Sequence, residues 1–252
     1  MIVHTFGPAW GSIDLSPFAV KLLTWLRMAQ LPCATKVGNV RKMRNAKLPA
    51  LALDDGRMLN DSQQIIEFLR EMHQDPLRER LRSQSERAVA RAWRALFETD
   101  LYFAAYYQRW IPEPNFAILR PVMVDYMGAL GVPAFVRPWV VKAVRRNVRA
   151  QLEAQGTGRR PVEQIHAIAD AGYAAASDFL ADKLYFMGDR PSELDATVFA
   201  FLHTLLLPPF ESPQKEWVAG RANLVDYHRR MLAQYWPERD AVPAAARSTA
   251  MA

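Results

Sequence analysis

The chain has 252 residues, half of them hydrophobic and 23% charged, enough to bury a sizeable core and to divide into two domains. No apolar run approaches the roughly 18 to 20 residues that cross a bilayer, and the opening Met1-Ile2-Val3-His4 lacks the basic and apolar regions of a secretory leader, so a cytoplasmic location is expected. The single cysteine, Cys33, excludes an intramolecular disulfide or a CxxC pair, and histidines at 4, 73, 166, 203 and 228 have no zinc-ligand spacing, so no metal is expected.

Residues 2–6, Ile-Val-His-Thr-Phe, read as a short buried strand followed by a loop through Pro8, Gly11 and Asp14. Ser16-Pro17 then opens a helix to about Ala29: Ser16 suits the cap, and Pro17 suits a first position where no N–H is needed. Lys21, Thr24 and Arg27 form one polar stripe, with Ala19, Leu22, Leu23 and Leu26 opposite. Leu31 to Val37 reads as a second, buried strand carrying Cys33, expected to be a structural thiol. Ala50 to Leu53, a turn at Asp54-Asp55-Gly56, and Arg57 to Leu59 form a hairpin. Asn60-Asp61-Ser62 precede a helix with Ile65, Ile66, Leu69 and Met72 on one face.

Beyond Asp75-Pro76 the strand signals cease. Helices are expected over 83–110, 115–129, 135–154, 161–182, 193–207 and 214–235, and the Ala- and Pro-rich end from 237 is expected to be loose. The organisation is therefore an α/β domain over 1–75, an all-helical domain over 83–236 and a disordered tail over 237–252.

The net charge of +6 is concentrated in two places. Lys36 to Lys47 holds five basic residues and no acid, and Arg137 to Arg160 holds seven against Glu153 alone. In the second, Arg137, Lys142, Arg145, Arg146 and Arg149 interleave with Val136, Trp139, Val140, Val141 and Val144. That pattern fits a helix that buries its apolar face and solvates its arginines, or one that lies on an anionic membrane surface. No recognition motif accompanies the charge, and no nucleic-acid partner is expected.

Leu15-Ser16-Pro17-Phe18-Ala19-Val20-Lys21, Lys47-Leu48-Pro49, Asp61-Ser62 before Ile65-Ile66, Gln155-Gly156-Thr157-Gly158-Arg159 and Phe186 to Phe199 stand in an order and spacing that resembles the glutathione transferase superfamily, in its failed-axon-connections and metaxin-like branch. The resemblance implies a thioredoxin-like N-terminal domain followed by an all-helical C-terminal domain, with glutathione as co-substrate, and a homodimer. The helix starting at Ser192 has its own local logic: Ser192 can cap Asp195 while Asp195 reaches back to Ser192.

By resemblance, Asp61 and Ser62 take the γ-glutamyl end of glutathione, and their helix N-terminus favours a carboxylate. Pro49 takes the place of the family's cis-proline, presenting the backbone of Leu48 to the cysteinyl part. Lys47 or Arg44 is the candidate for the glycyl carboxylate. Ser16 stands where redox-active members carry cysteine, and Ala19 replaces the second cysteine, so thiol–disulfide chemistry on this helix is disfavoured. A Ser16 hydroxyl can donate to a glutathione thiolate or simply cap the helix; Tyr102, Tyr106 and Tyr107 are rival donors. Asp14, where relatives more often carry Asn, places an anion near that thiolate. An apolar electrophile pocket is expected from Trp10, Phe18, Tyr106 and Trp110. The function expected is conjugation of the thiolate to an apolar electrophile; the alternative is a non-catalytic scaffold of the same fold at a membrane surface or in a protein assembly.

Overall fold

The computed structural model describes residues 1–43, 45–53, 55–77 and 83–240. Four strands, β1 (Ile2–Thr5), β2 (Ala34–Val37), β3 (Ala50–Ala52) and β4 (Met58–Asn60), form one mixed sheet in the order β2-β1-β3-β4. β1 runs parallel to β2 and antiparallel to β3, which pairs antiparallel with β4. Helix α1 (Pro17–Met28) makes the crossover from β1 to β2, and α2 (Ser62–Met72) follows β4. All four residues of β2 are exposed, so the expectation of a buried strand is corrected: β2 is an edge strand, and half-buried Cys33 precedes it.

The remaining described chain is helical: α3 (Gln84–Leu96), α4 (Tyr102–Trp110), α5 (Glu113–Ala129), α6 (Arg137–Gln155), α7 (Val162–Leu180), α8 (Glu193–Leu206), α9 (Pro213–Ala219), α10 (Ala222–Tyr235) and α11 (Pro237–Asp240). The sequence predicts one helix over 83–110 and another over 214–235; each is two. A π-helical turn, Phe97–Leu101, joins α3 to α4, and a break at Gly220-Arg221 separates α9 from α10. Of the end expected to be loose, residues 237–240 form α11 instead, tied to α1 through an Arg27–Glu238 pair at 2.6 Å. The rest of that end, 241–252, lies outside the described residues.

One apolar core joins the sheet side to the helical side, running from Val3, Leu22, Trp25, Leu26 and Leu51 to Phe97, Phe186, Phe199 and Tyr227. The α1 stripe of Lys21, Thr24 and Arg27 is the polar seam within this contact. Lys21 is fully buried and its Nζ donates to Gln63 Oε1 (2.7 Å) and pairs with Glu98 (2.6 Å). Trp236 Nε1 donates to Thr24 Oγ1, while the Arg27 guanidinium lies 3.6 Å from the centroid of the Trp236 ring. Lys21 and Thr24 are therefore buried because each finds a partner there, while Arg27 lies at the exposed edge of the seam.

At the start of α8, the Asp195 carboxylate accepts from the Ser192 amide (2.7 Å), the Ser192 hydroxyl (2.9 Å), the Phe186 amide (2.9 Å) and the Tyr227 hydroxyl (3.0 Å). Asp195 reaches back as the sequence predicts, and it also fixes the preceding turn and α10.

Candidate active site

The α1 N-terminus is shaped by Asp14. Its carboxylate accepts from the Gly7 amide (2.7 Å) and the Ser16 amide (2.9 Å), which folds the loop after β1 back on itself. Asp14 is buried, and that desolvation pushes its pKa up to about 7 against the lowering effect of the amides. Its charge is therefore incomplete at neutral pH and directed at backbone rather than at open space.

Ser16 occupies the cap position of α1, yet its hydroxyl makes no capping hydrogen bond. The expected side-chain cap is replaced by a carbonyl contact: Ser16 O accepts the Ala19 and Val20 amides. Pro17 has no N–H to satisfy, which leaves the Phe18 amide as the open donor of the first turn.

The Leu48–Pro49 peptide bond is cis. The register Ala50↔Asn60 sets Pro49 beside Asp61 just beyond the β3–β4 ladder, and His4↔Ala50 brings the end of β1 next to both. Gly38 permits this approach, because a Cβ there would stand 2.8 Å from Leu48 and 2.9 Å from His4 side-chain atoms. Asp61 caps α2 through its side chain, accepting from the Gln63 (2.9 Å) and Gln64 (3.3 Å) amides, with φ at 79°, an uncommon value for a residue other than glycine. Ser62 is buried beside it. Asn60 Nδ2 donates to Lys47 O, tying the cap to the cis-proline loop. The Lys47 side chain is exposed, and Arg44 lies outside the described residues.

Across from these elements, a cavity of about 50 Å³ is lined by Pro17, Tyr102, Tyr106, Arg109, Phe210 and Gln214, among others. Residues 102, 106 and 109 fall on one face of α4 at helical spacing. Tyr102 and Tyr106 stack with centroids 5.3 Å apart, and burial raises the pKa of both phenols. Arg109 Nη1 donates to Leu15 O at 2.7 Å, one residue before Ser16, and its guanidinium carbon lies 5.5 Å from the Phe210 ring centroid.

Of the expected pocket residues, Tyr106 lines this cavity. Phe18 backs it, edge-on to Tyr102, and Trp10 backs it edge-on to Phe210. Trp110 belongs to the core beneath, packed on Phe116, and Tyr107 packs into the core as well. Arg109, Phe210 and Gln214 were not among the expected residues. The Tyr102-Tyr106-Arg109 spacing was the available signal for the first; the other two come from 100 residues further on.

Cys33 stands apart, its thiol pKa pushed up by burial more than nearby Arg27 lowers it. Among the described residues no group of three His, Cys, Asp or Glu side chains could hold a metal ion, and no helix is long and apolar enough to cross a membrane. In the basic helix α6, Arg145 is engaged: it donates to the Trp110 and Ile111 carbonyls, pairs with Glu113 and stacks on Phe116.

Two family profiles match the chain: "Glutathione S-transferase N-terminal domain" over residues 17–115 and "Glutathione S-transferase, C-terminal domain" over 169–231. The chain is 30% identical over 238 residues to isoprene-epoxide–glutathione S-transferase of Rhodococcus sp. (strain AD45), covering 92% of this chain and 98% of that protein. It is 27% identical over 245 residues to Failed axon connections of Drosophila melanogaster, covering 91% of this chain and 56% of that one. Among solved structures, a glutathione S-transferase from Methylobacterium radiotolerans in complex with glutathione sulfonate superposes with a TM-score of 0.56 at 21% identity, covering 93% of this chain and 90% of that one.

Proposed function

Because the chain belongs to the glutathione S-transferase family, we propose that it binds glutathione on its sheet side and conjugates the thiolate to a small apolar electrophile held against α4. The observation that carries this reading is the grouping of the cis Leu48–Pro49 bond, the Asp61-capped start of α2 and the open first turn of α1 around one end of the sheet. In that grouping Leu48 and Pro49 present backbone to the cysteinyl part, and Asp61 and Ser62 receive the γ-glutamyl end at a helix N-terminus. Lys47 or Arg44 meets the glycyl carboxylate. Sulfur then lies at the α1 N-terminus, where the Ser16 hydroxyl and the helix dipole favour the thiolate. The electrophile enters between α1 and α4. We read the protein as a cytoplasmic homodimer acting on small molecules.

Calorimetric titration with glutathione is the direct test. Binding is expected, and Ser62→Ala is expected to weaken it about tenfold, the worth of one hydrogen bond to a charged group. No binding by the wild-type chain would remove this reading.

The second reading, a scaffold of the same fold at a membrane surface, is favoured by one observation. Phe135 and Trp139 are 81% and 71% exposed, and Lys142, Arg146 and Arg149 continue their outward stripe along α6. Aromatics flanked by cations suit an anionic interface. Under this reading, salt-sensitive co-sedimentation with phosphatidylserine vesicles is expected and is lost in Trp139→Ala with Arg146→Gln and Arg149→Gln. No sedimentation of the wild type would exclude it.

A further inference from the structure

A second cavity, of about 350 Å³, opens where the end of α2, one face of α3 and the first turn of α8 meet, and it shares no lining residue with the α4 cavity. Its walls carry four guanidiniums, Arg70, Arg87, Arg91 and Arg94, against two carboxylates, Asp75 and Glu193. Arg87, Arg91 and Arg94 share one face of α3 at helical spacing, where like charges destabilise the helix unless something negative lies beside them.

The two carboxylates leave many of these donors unused. Asp75 is taken by Arg70 at 2.7 Å. Glu193 is shared: it accepts from Gln63 at 3.0 Å and meets Arg70 and Arg94 only at 3.3 and 3.4 Å. That long contact is the one ion pair that Arg94 makes among the described residues, and Arg91 makes none there. Each guanidinium carries several N–H donors in a planar fork, so most of those on Arg91 and Arg94 stay available.

The α8 wall adds an independent sign. Thr197 is fully buried and lines the same cavity, yet its Oγ1 has no hydrogen-bond partner in the chain. Among the described residues only Trp25 Nε1 and Asn60 Oδ1 are buried side-chain atoms in that condition. Thr204, further along the same helix, returns its hydroxyl to the Ala200 carbonyl. A buried hydroxyl without an acceptor costs free energy that a ligand oxygen in the cavity would recover.

We propose that this cavity binds the phosphate group of a small phosphorylated molecule. Arg91 and Arg94 are its principal donors, Thr197 Oγ1 adds a neutral one, and Leu77 and Leu194 supply apolar wall for the attached organic part. One guanidinium fork satisfies a carboxylate, whereas a phosphate monoester brings several acceptor oxygens and about two negative charges at neutral pH. That charge matches the excess of guanidiniums over carboxylates on the walls. The site does not depend on glutathione binding.

Calorimetric titration of the full chain in phosphate-free, low-salt buffer tests it with phenyl phosphate, inorganic phosphate and benzoate. Phenyl phosphate is expected to bind, and benzoate, with the same ring and a smaller charge, about tenfold more weakly. Inorganic phosphate is also expected about tenfold below phenyl phosphate, for want of the apolar contact; equal affinity would assign the same phosphate site to the free ion. Arg91→Gln is expected to weaken phenyl phosphate about tenfold, the worth of one hydrogen bond between charged groups. Arg91→Lys is expected to recover part of that loss, because it keeps the charge without the planar fork. Thr197→Val, which exchanges the hydroxyl for a methyl, is expected to weaken binding about fivefold. Arg91 is exposed, so its replacement is expected to leave thermal unfolding unchanged. No binding of phenyl phosphate by the wild type would overturn the proposal, as would benzoate binding equally well or undiminished binding in Arg91→Gln. Displacement of phenyl phosphate by excess glutathione would place it in the glutathione site instead and overturn the proposal as well.

Discussion

The proposed glutathione side of the cleft is carried by residues close in sequence, Leu48 to Ser62, whereas the electrophile side draws Pro17, Arg109, Phe210 and Gln214 from widely separated stretches. On the first side the ladder register alone places Pro49 beside Asp61, so local chemistry and position are set together. On the second, placement depends on how α1, α4 and the segment after α8 pack against one another. The sheet side should therefore tolerate changes in the helical half that leave the shared core intact, and the electrophile side should not.

The largest expected effect tests whether the two sides are separable at all. Asp195→Ala leaves four donors, from Phe186, Ser192 twice and Tyr227, without their acceptor in a fully buried position. The cost is expected to be about 4 kcal/mol, or on the order of 10 °C in Tm. Because α1 and α8 share one apolar core, loss is expected in a single cooperative transition that also removes glutathione binding. Two resolved transitions in calorimetry would show instead that the sheet side folds independently.

The same comparison explains what could be read from the sequence. The hairpin, the Asp61 cap and the Ser192–Asp195 pair are short-range signals, and each lies where those residues indicate, whereas the cis form of Pro49 was implied by the family resemblance alone. The π-helical turn was not legible, because the apolar spacing from Trp93 through Leu101 continues without a break and only the hydrogen-bond pattern shifts. Within α4, Arg109 lines the cavity while its neighbour Trp110 packs in the core, so pocket residues chosen by aromatic character included one that packs inside. The stripe of Lys21, Thr24 and Arg27 was visible as polar, but its partners Gln63, Glu98, Trp236 and Glu238 are 42 to 212 residues away in sequence, beyond any local pattern. An edge strand and a central one share the same short sequence signature, so the exposure of β2 is not visible in it.

A smaller effect is expected at Asp14, in the loop that leads into α1. Asp14 orders the loop that carries Ser16, and burial lifts its pKa from 3.8 to about 7. A raised folded pKa means that ionisation opposes folding: the Asp14 contribution is fully present below about pH 4 and is lost as pH rises through about 7. The Tm of the wild type relative to Asp14→Asn is therefore expected to fall between pH 4 and pH 8, by an amount equivalent to roughly 2 to 4 kcal/mol. Parallel Tm curves for the two proteins would show that Asp14 does not titrate in that range.

The smallest expected effect on the fold is at Ser16, and it separates two roles that the sequence leaves joined. Replacement of a serine that caps a helix costs about 1 kcal/mol. Here the hydroxyl makes no capping bond, and the Ser16 amide and carbonyl do the local work through Asp14, Ala19 and Val20. Ser16→Ala is therefore expected to change stability by less than about 0.5 kcal/mol, within the range of an uninvolved position. If the hydroxyl instead donates to the bound thiolate, the same variant raises the thiol pKa of the glutathione complex by about one unit, the worth of one hydrogen bond to a charged group. Measured together, by thermal unfolding and by the ultraviolet absorbance of the thiolate, the pair of values assigns the hydroxyl: unchanged stability with a raised thiol pKa places it on the sulfur. Loss of stability with an unchanged thiol pKa would place it back in the helix cap and leave the Phe18 amide and the helix dipole as the groups facing sulfur.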